Sequence, residues 1–502
     1  MTVSNHLGNI PAKLSPSSVP RNRKVLLHCA TLLALPLILG ACTEKDPSTS
    51  LIAQGESLFM NETFSGNGRT CGTCHRPEDN FRITPAFIAT LPSHDPLFVA
   101  EYDPNLKENF EKPTLMREFG LILMNPDGHE DLANKFVMRT VQSLRAVKLS
   151  VNGSEFEGYE NETDYQAPHT GWAGDGAPGD GTLRSFALGA IKQHMTRSLA
   201  RVEGTDFRLP NDTELDALEA FMLSIGRQQE ISLPLPLKSE LALLGQQLFL
   251  DENQQNARCS VCHINASASS MKATAISEGR TVNLGNTLHS TGEESLPGRP
   301  NSLIPFDDGF GSPGNRTFRT PSLVEAADSG PLFHNGAVST VEAAVDLYNL
   351  DTFNNSQTGA ALKARFGKPT SLTATEVLAI GAFLRVINAD DNIRETLHQL
   401  EKSRNQGWLG WTRSTKNLRQ ASYENEDAIQ VLAAVNLHPR VIGHLKKSFS
   451  LINDATGILS WRDRKTMEAM TALRKARKLL LSDPKDQVAD QAHLIAKPEN
   501  HR

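Results

Sequence analysis

Apolar positions recur along most of the chain at three- and four-residue intervals, the spacing of one helical face. The pattern is clearest late in each half. Asp212-Thr213-Glu214 leads into Leu215, Leu218, Phe221 and Met222, and Thr373-Ala374-Thr375-Glu376 leads into Val377, Ile380, Phe383 and Leu384. A polar cap with an acidic residue close behind it is a helix-start signal. Thr182 likewise precedes a run that places Leu183, Ala187, Ala190 and His194 on one face. Beyond residue 404, the stretches Asp427–Val435 and Met467–Leu481 read as helices, with Pro439 as an interruption between them. Little of the chain alternates with the period of a strand, so a mainly α fold is predicted.

Two segments recur. Gly55-Glu56-Ser57-Leu58-Phe59-Met60-Asn61 is echoed by Gly245-Gln246-Gln247-Leu248-Phe249-Leu250-Asp251, and Arg139-Thr140-Val141-Gln142-Ser143-Leu144 by Arg319-Thr320-Pro321-Ser322-Leu323. Each copy opens a unit that reads helix, cysteine motif, long loops, helix and terminal helix. Such an internal repeat sets the domain plan. The plan is a leader over 1–42, units over 43–232 and 233–400, and a basic helical extension over 401–502.

The 502 residues carry a net charge of −6, a balance with no electrostatic footprint for nucleic acid. The charge is uneven. Residues 401–502 hold 18 Lys/Arg against 11 Asp/Glu, marking that segment as appended. Its basic helix, with Arg474, Lys475, Arg477 and Lys478, reads either as a solvated face packed on the body or as a docking surface for an acidic redox partner or anionic headgroups.

Near the start, Arg21, Arg23 and Lys24 precede an apolar stretch from Val25 to Leu39, shorter than the roughly 20 residues of a membrane span. That is the build of a secretory signal. Leu39-Gly40-Ala41-Cys42 resembles the lipobox of bacterial lipoproteins, which implies cleavage before Cys42 and a lipid on its thiol. An ordinary signal peptide and a weak membrane anchor are the alternatives. The chain would then sit in the bacterial cell envelope, lipid-anchored at the outer membrane, facing the periplasm or the cell surface.

Cysteine spacing carries the chemistry. Of six cysteines, Cys29 and Cys42 fall in the leader, and the other four form two copies of C-x-x-C-H: Cys71-Gly72-Thr73-Cys74-His75 and Cys259-Ser260-Val261-Cys262-His263. On a helical turn the three functional groups project the same way. Two thiols then add to the vinyl groups of a haem while the imidazole binds its iron. Zinc asks for four N/S ligands, and each motif offers three. Two covalently bound c-type haems are predicted, with no cysteine left for a structural disulfide.

Residues 316–349, including Arg319-Thr320-Pro321-Ser322-Leu323 and Phe333-His334-Asn335-Gly336-Ala337-Val338, resemble the second half of dihaem cytochrome c peroxidases and MauG-type enzymes. The similarity extends over roughly residues 50–390. It implies two tandem cytochrome c-like helical domains, oxidant chemistry at the first haem, electron relay at the second, and frequently a calcium ion between them. It also implies Tyr348 as the second ligand of haem 2 beside His263. His334 is implied as a haem-edge or propionate partner and Trp172 as a bridge between the haems, although a purely structural Trp is equally open.

For haem 1, His75 is one ligand. Counting from Thr182 as from Thr340 puts Ala190 in the place of Tyr348, so the site is open or filled by His194 one turn later. His129 and His169 are weaker candidates. Thr196 and Phe186 stand where the family carries its distal Glu and Gln, and neither can do acid–base work. In this the chain resembles rubber-oxygenase-type dihaem proteins. Three functions follow: peroxide-linked chemistry at haem 1, pure electron transfer, or dioxygen-dependent cleavage of an apolar substrate. A small redox protein or the quinol chain is the expected electron donor or acceptor.

Overall fold

The computed structural model describes residues 47–107, 109–151, 170–172, 181–228, 231, 233–250, 256–263, 274–277, 280–283, 288–296, 304–309, 311, 313–406, 411–457 and 461–481. The leader with Cys42, and His169, lie outside them. Helices of ten or more residues are numbered in chain order and shorter ones are given by range.

Helix α1 (Pro47–Asn61) crosses α3 (Asp212–Ser224), with α2 (Leu183–His194) between them in sequence. Gly55 lets the backbones touch, since a Cβ there would overlap the Ala217 carbonyl. One turn on, Phe59 and Phe221 meet edge to face, their ring centres 5.2 Å apart. In the second unit α4 (Glu240–Phe249) crosses α6 (Ala374–Asn405) in the same way, with α5 (Gln357–Phe366) between them in sequence. Gly245 lies against the Ala379 carbonyl, and Phe249 meets Phe383 at 5.3 Å. Each glycine precedes its phenylalanine by four residues, so both project from one face. The repeat seen in sequence is therefore a repeated helix crossing.

The helix starts follow the polar signals. Asn211 accepts from the Glu214 amide at 3.0 Å while Glu214 Oε2 accepts from the Asn211 amide at 2.9 Å, so the cap lies one residue before Asp212. Thr373 and Glu376 form the same reciprocal box. Thr182 and Thr340 cap α2 and the helix Val341–Leu347 through the amides of Ser185 and Ala343.

Strands are confined to short antiparallel pairs within the loops. They are β1 (Leu121–Met124) with β2 (Val137–Thr140), β3 (Thr274–Ser277) with β4 (Arg280–Asn283), and β5 (Leu288–His289) with β6 (Phe318–Arg319). The mainly α expectation holds.

The extension departs from its expected form. Helix α6 runs unbroken past residue 400 to Asn405, so the extension grows out of the second unit's last helix. Three helices follow: α7 (Trp411–Ala433), α8 (Pro439–Gly457) and α9 (Arg462–Leu480). Pro439 lies between the two expected helices, as the sequence suggested, and there opens a third, α8, because the first helical position needs no N–H donor. Helix α7 also begins well before Asp427. Apolar residues of the second unit and the extension, from Phe249 through Ile393 to Leu445, Leu473 and Leu480, share one core. A separate core built on Phe59, Phe64, Phe81 and Phe221 serves the first unit. Among the described residues no helix is long and apolar enough to cross a membrane.

Candidate haem-binding sites

The first C-x-x-C-H motif folds as a single helical turn, Cys71–Cys74. The Thr70 amide donates to Thr73 Oγ at 2.9 Å and the His75 amide to the Cys71 carbonyl at 3.0 Å. Both thiols are free. Burial, with Cys74 beside it, pushes Cys71 up to about 12, so it is a neutral thiol. The loop then returns through Asn80 and Phe81 at positive φ, and the Phe81 carbonyl lies 2.8 Å from His75 Nδ1. With that proton placed on Nδ1, Nε2 keeps its lone pair. Burial also lowers the His75 pKa, outweighing the Phe81 hydrogen bond, so the ring is neutral.

His194 is brought to this motif. Asn67 Nδ2 donates to the carbonyls of His194 at 3.1 Å and Thr196 at 2.9 Å, fastening the end of α2 beside the segment that leads into Cys71. Gln193 ties the same turn to the Leu123 carbonyl at 3.0 Å. Burial, then Arg69, Arg201, His129 and His75, push His194 down to about 3. It is a neutral imidazole whose ring makes no hydrogen bond among the described residues. His129 joins it from the loop after β1, held near 4 by burial and by Arg201 and Lys192. The Thr196 hydroxyl donates to the Ser198 carbonyl at 2.8 Å.

Around the second motif lies a largely apolar cavity of about 240 Å³. Cys259, Cys262, His263, Tyr348, Trp172 and His334 all line it. Both thiols are free and burial pushes each up to about 12. Tyr348 caps the short helix Val341–Leu347 and packs edge-on against Phe353 at 4.8 Å. Its hydroxyl makes no hydrogen bond among the described residues. Burial, then Cys262, Glu293 and Cys259, raise its pKa, so only a nearby cation would ionise it.

His334 has a different role from Tyr348. Its ring stacks on Phe318 at 3.6 Å, with Nε2 2.6 Å from Glu294 and Nδ1 3.2 Å from Glu293. Burial works against charge, yet the two glutamates and Asp307 raise the pKa. Both ring nitrogens face carboxylates, and a charged imidazolium has no lone pair for a metal. The expected role at the edge of the site suits this environment. Trp172 donates from Nε1 to the Thr140 carbonyl at 2.8 Å and lies 6.3 Å from the His334 ring, so a first-unit residue forms part of the second-unit cavity.

The sequence reading did not single out the cations. Arg319 is buried on the cavity wall and donates to the Ser150 carbonyl at 2.6 Å, while its Nε has no partner. Burial pulls its pKa down to about 10. Its counterpart Arg139 is paired with Asp307 at 2.6 and 2.9 Å, both side chains buried. The paired glutamates at 293 and 294 were a local signal for the His334 clamp, but no spacing ties them to it. Calcium was implied between the units, and no group of three or more His, Cys, Asp or Glu side chains gathers for a metal among the described residues.

No protein-family model matches the chain, and no curated protein matches it. Solved structures do. One is a MauG-like protein associated with microbial copper homeostasis, at 18% identity and a TM-score of 0.32, with 67% of this chain and 87% of that chain covered.

Proposed function

We propose that the chain is a dihaem c-type oxidoreductase, with haem 1 held by Cys71, Cys74 and His75 and haem 2 by Cys259, Cys262, His263 and Tyr348. The observation that carries this reading is the pairing of free thiols and adjacent imidazole twice, each on the same helix crossing. The surroundings suit the group. The Phe81 carbonyl orients His75 so that Nε2 is available. Tyr348 is a half-buried phenol without a hydrogen-bond partner among the described residues, on the wall that carries Cys259 and Cys262. Arg319 offers an unused N–H at the same cavity, where a propionate would be met by a cation. Haem, when bound, supplies one-electron redox chemistry and the activation of peroxide or dioxygen.

The protein's own contributions follow from the site. The lining of the second cavity is largely apolar, and His334 with its glutamates fixes charge on its wall. Tyrosinate is a hard anionic donor that favours the ferric state. The Trp172 indole links the two units. At the first site His194 is a neutral base close to His75, with Arg69 and Arg201 favouring anions nearby. Peroxide-linked oxidation at haem 1, with electrons supplied through haem 2 by a small redox protein or the quinol chain, is the leading function. Attachment at Cys42 would place it on the cell envelope.

A second reading has its own observation. His194 beside His75 suits a closed iron, which would make the protein an electron carrier. Carbon monoxide added to the reduced, matured protein separates the two. Binding at one haem supports the enzyme, and no binding at either supports the carrier. In the same material Tyr348→Phe is expected to change the optical and EPR signals of one haem only. An unchanged spectrum removes Tyr348 from the ligand set.

A further inference from the structure

Both units build the wall of the second cavity. Cys259, Cys262 and Tyr348 come from the second unit, whereas Arg82, Thr140 and Trp172 come from the first. Arg82 follows the turn behind the first cysteine motif and is only 5% exposed. Its backbone is fixed on both sides. The amide donates to the Asp79 carbonyl at 3.0 Å, and the carbonyl accepts from the Arg76 amide at 3.2 Å. One residue earlier, the Phe81 carbonyl meets His75. The guanidinium is less well served. Nη2 donates to the Pro331 carbonyl of the second unit at 3.4 Å, and Nε is buried without a partner.

A buried guanidinium with a spare N–H is costly unless an acceptor reaches it. The carboxylates that face Arg82 do not supply one. Asp79 takes the amide and hydroxyl of Thr84, and neither oxygen of Asp328 accepts a hydrogen bond among the described residues. Glu293, the carboxylate on the cavity wall, faces His334 and accepts from Thr291. Burial pulls Arg82 down to about 10, opposed by Asp79 and Asp328, so it remains a cation at neutral pH. Arg319 stands in the same condition on the same cavity. It is 6% exposed, anchored to the Ser150 carbonyl of the first unit, and left with a spare Nε. Each arginine thus reaches across to a carbonyl of the other unit, and each keeps one buried N–H unmet.

We propose, on the reading that haem fills this cavity, that Arg82 and Arg319 form a two-cation clamp for the two carboxylates of the haem held by Cys259 and Cys262. Arg82 is then a binding residue that the first unit lends to the second. The thioether edge of a c-type haem and its carboxylates lie on opposite sides of the ring. The cysteines of the second unit hold one edge, and the arginines meet the groups at the other. Two unmet cations match two carboxylates, and a guanidinium fork suits a carboxylate in shape as well as charge. Because Arg82 follows directly on the residue whose carbonyl orients His75, the second cavity is complete only when the loop behind the first motif has folded.

Redox titration of the full-length matured protein, with each haem followed by its visible and EPR spectra, tests this. Arg82→Gln and Arg319→Gln are each expected to lower the midpoint of the same haem. The shift is about tenfold toward the ferric form, or about 59 mV, because a cation near the ring disfavours ferric iron. The other haem should move less than about twofold. Arg82→Lys keeps the charge and loses the fork. Its midpoint should stay within about twofold of the parent, while the propionate bending band of that haem shifts in the resonance Raman spectrum. Haem counting separates the clamp from the reading beneath it. One haem per chain in the parent removes the occupant, and the clamp with it. Two haems with both midpoints unmoved by Arg82→Gln overturn the clamp alone, as does an effect on a different haem from the one that Arg319→Gln moves. Where the Gln variant fails to mature, Arg82→Lys decides, and an unshifted propionate band overturns the clamp.

Discussion

The two units are alike where helices cross and unlike where side chains face the cysteine motifs. Gly55 and Gly245, Phe59 and Phe249, and Phe221 and Phe383 are interchangeable parts of one frame. Beyond it the copies diverge. The helix after Thr182 runs twelve residues and ends on His194, and the one after Thr340 runs seven and is capped by Tyr348. Arg139 is matched by a carboxylate from the other unit, while Arg319 keeps an unused N–H on its cavity. At the first site burial and arginines keep histidines neutral. At the second, glutamates keep one charged. A fixed scaffold thus carries two electrostatic settings.

Matched substitutions can break that comparison. The largest difference is expected between the two arginines. Arg139→Gln leaves Asp307 buried and unpaired, a loss of about 3–5 kcal/mol. Arg319→Gln removes one charged hydrogen bond to Ser150, about 1–2 kcal/mol. Thermal unfolding should show the Arg139 variant as clearly the weaker, and equal losses would mean that the two positions are equivalent after all. Next come the crossings. Gly55→Ala and Gly245→Ala each force a methyl group into a facing carbonyl and should cost similar amounts, about 1–3 kcal/mol apiece. A large disparity in their melting temperatures would show that the two crossings do not serve the same purpose.

The smallest effect concerns the histidines, which should respond to pH with opposite sign. His334 has a raised value, so its stabilisation is present below about 6.5 and lost as pH rises through the folded value. His194 is held near 3, so its contribution is present above about 6.5 and lost as pH falls toward that value. Stability profiles of His334→Gln and His194→Gln, set against the parent, should flatten on the alkaline and the acidic side respectively. Flattening on the same side would contradict the two environments.

Much of the frame was legible in the sequence because its causes are local. Cap and acidic residue stand three apart, glycine and phenylalanine four apart, and cysteine and histidine within five positions. The lining of the sites was legible only in part. Tyr348 came from the family resemblance and His194 from counting the first half against the second, and the structure sets Tyr348 in the cavity of the second motif and His194 near the first. Arg139 and Asp307, by contrast, are brought together from different units across a long stretch of chain, and no periodicity announces such a pair. The extension was legible as helical, and what the sequence missed there was a third helix: a proline that opens a helix and one that ends a helix look the same until its neighbours are placed.

In both units the cysteine motif follows the opening helix, and the helix that closes the crossing comes last. Gly55 waits for Ala217, and Gly245 for Ala379. A chain emerging from its N-terminus therefore presents Cys71 and Cys74 before the helix that closes its crossing has been made, and later repeats the sequence of events at Cys259 and Cys262. The thiols are most accessible to a modifying enzyme early in the life of each unit, and folding then shuts the door behind the work.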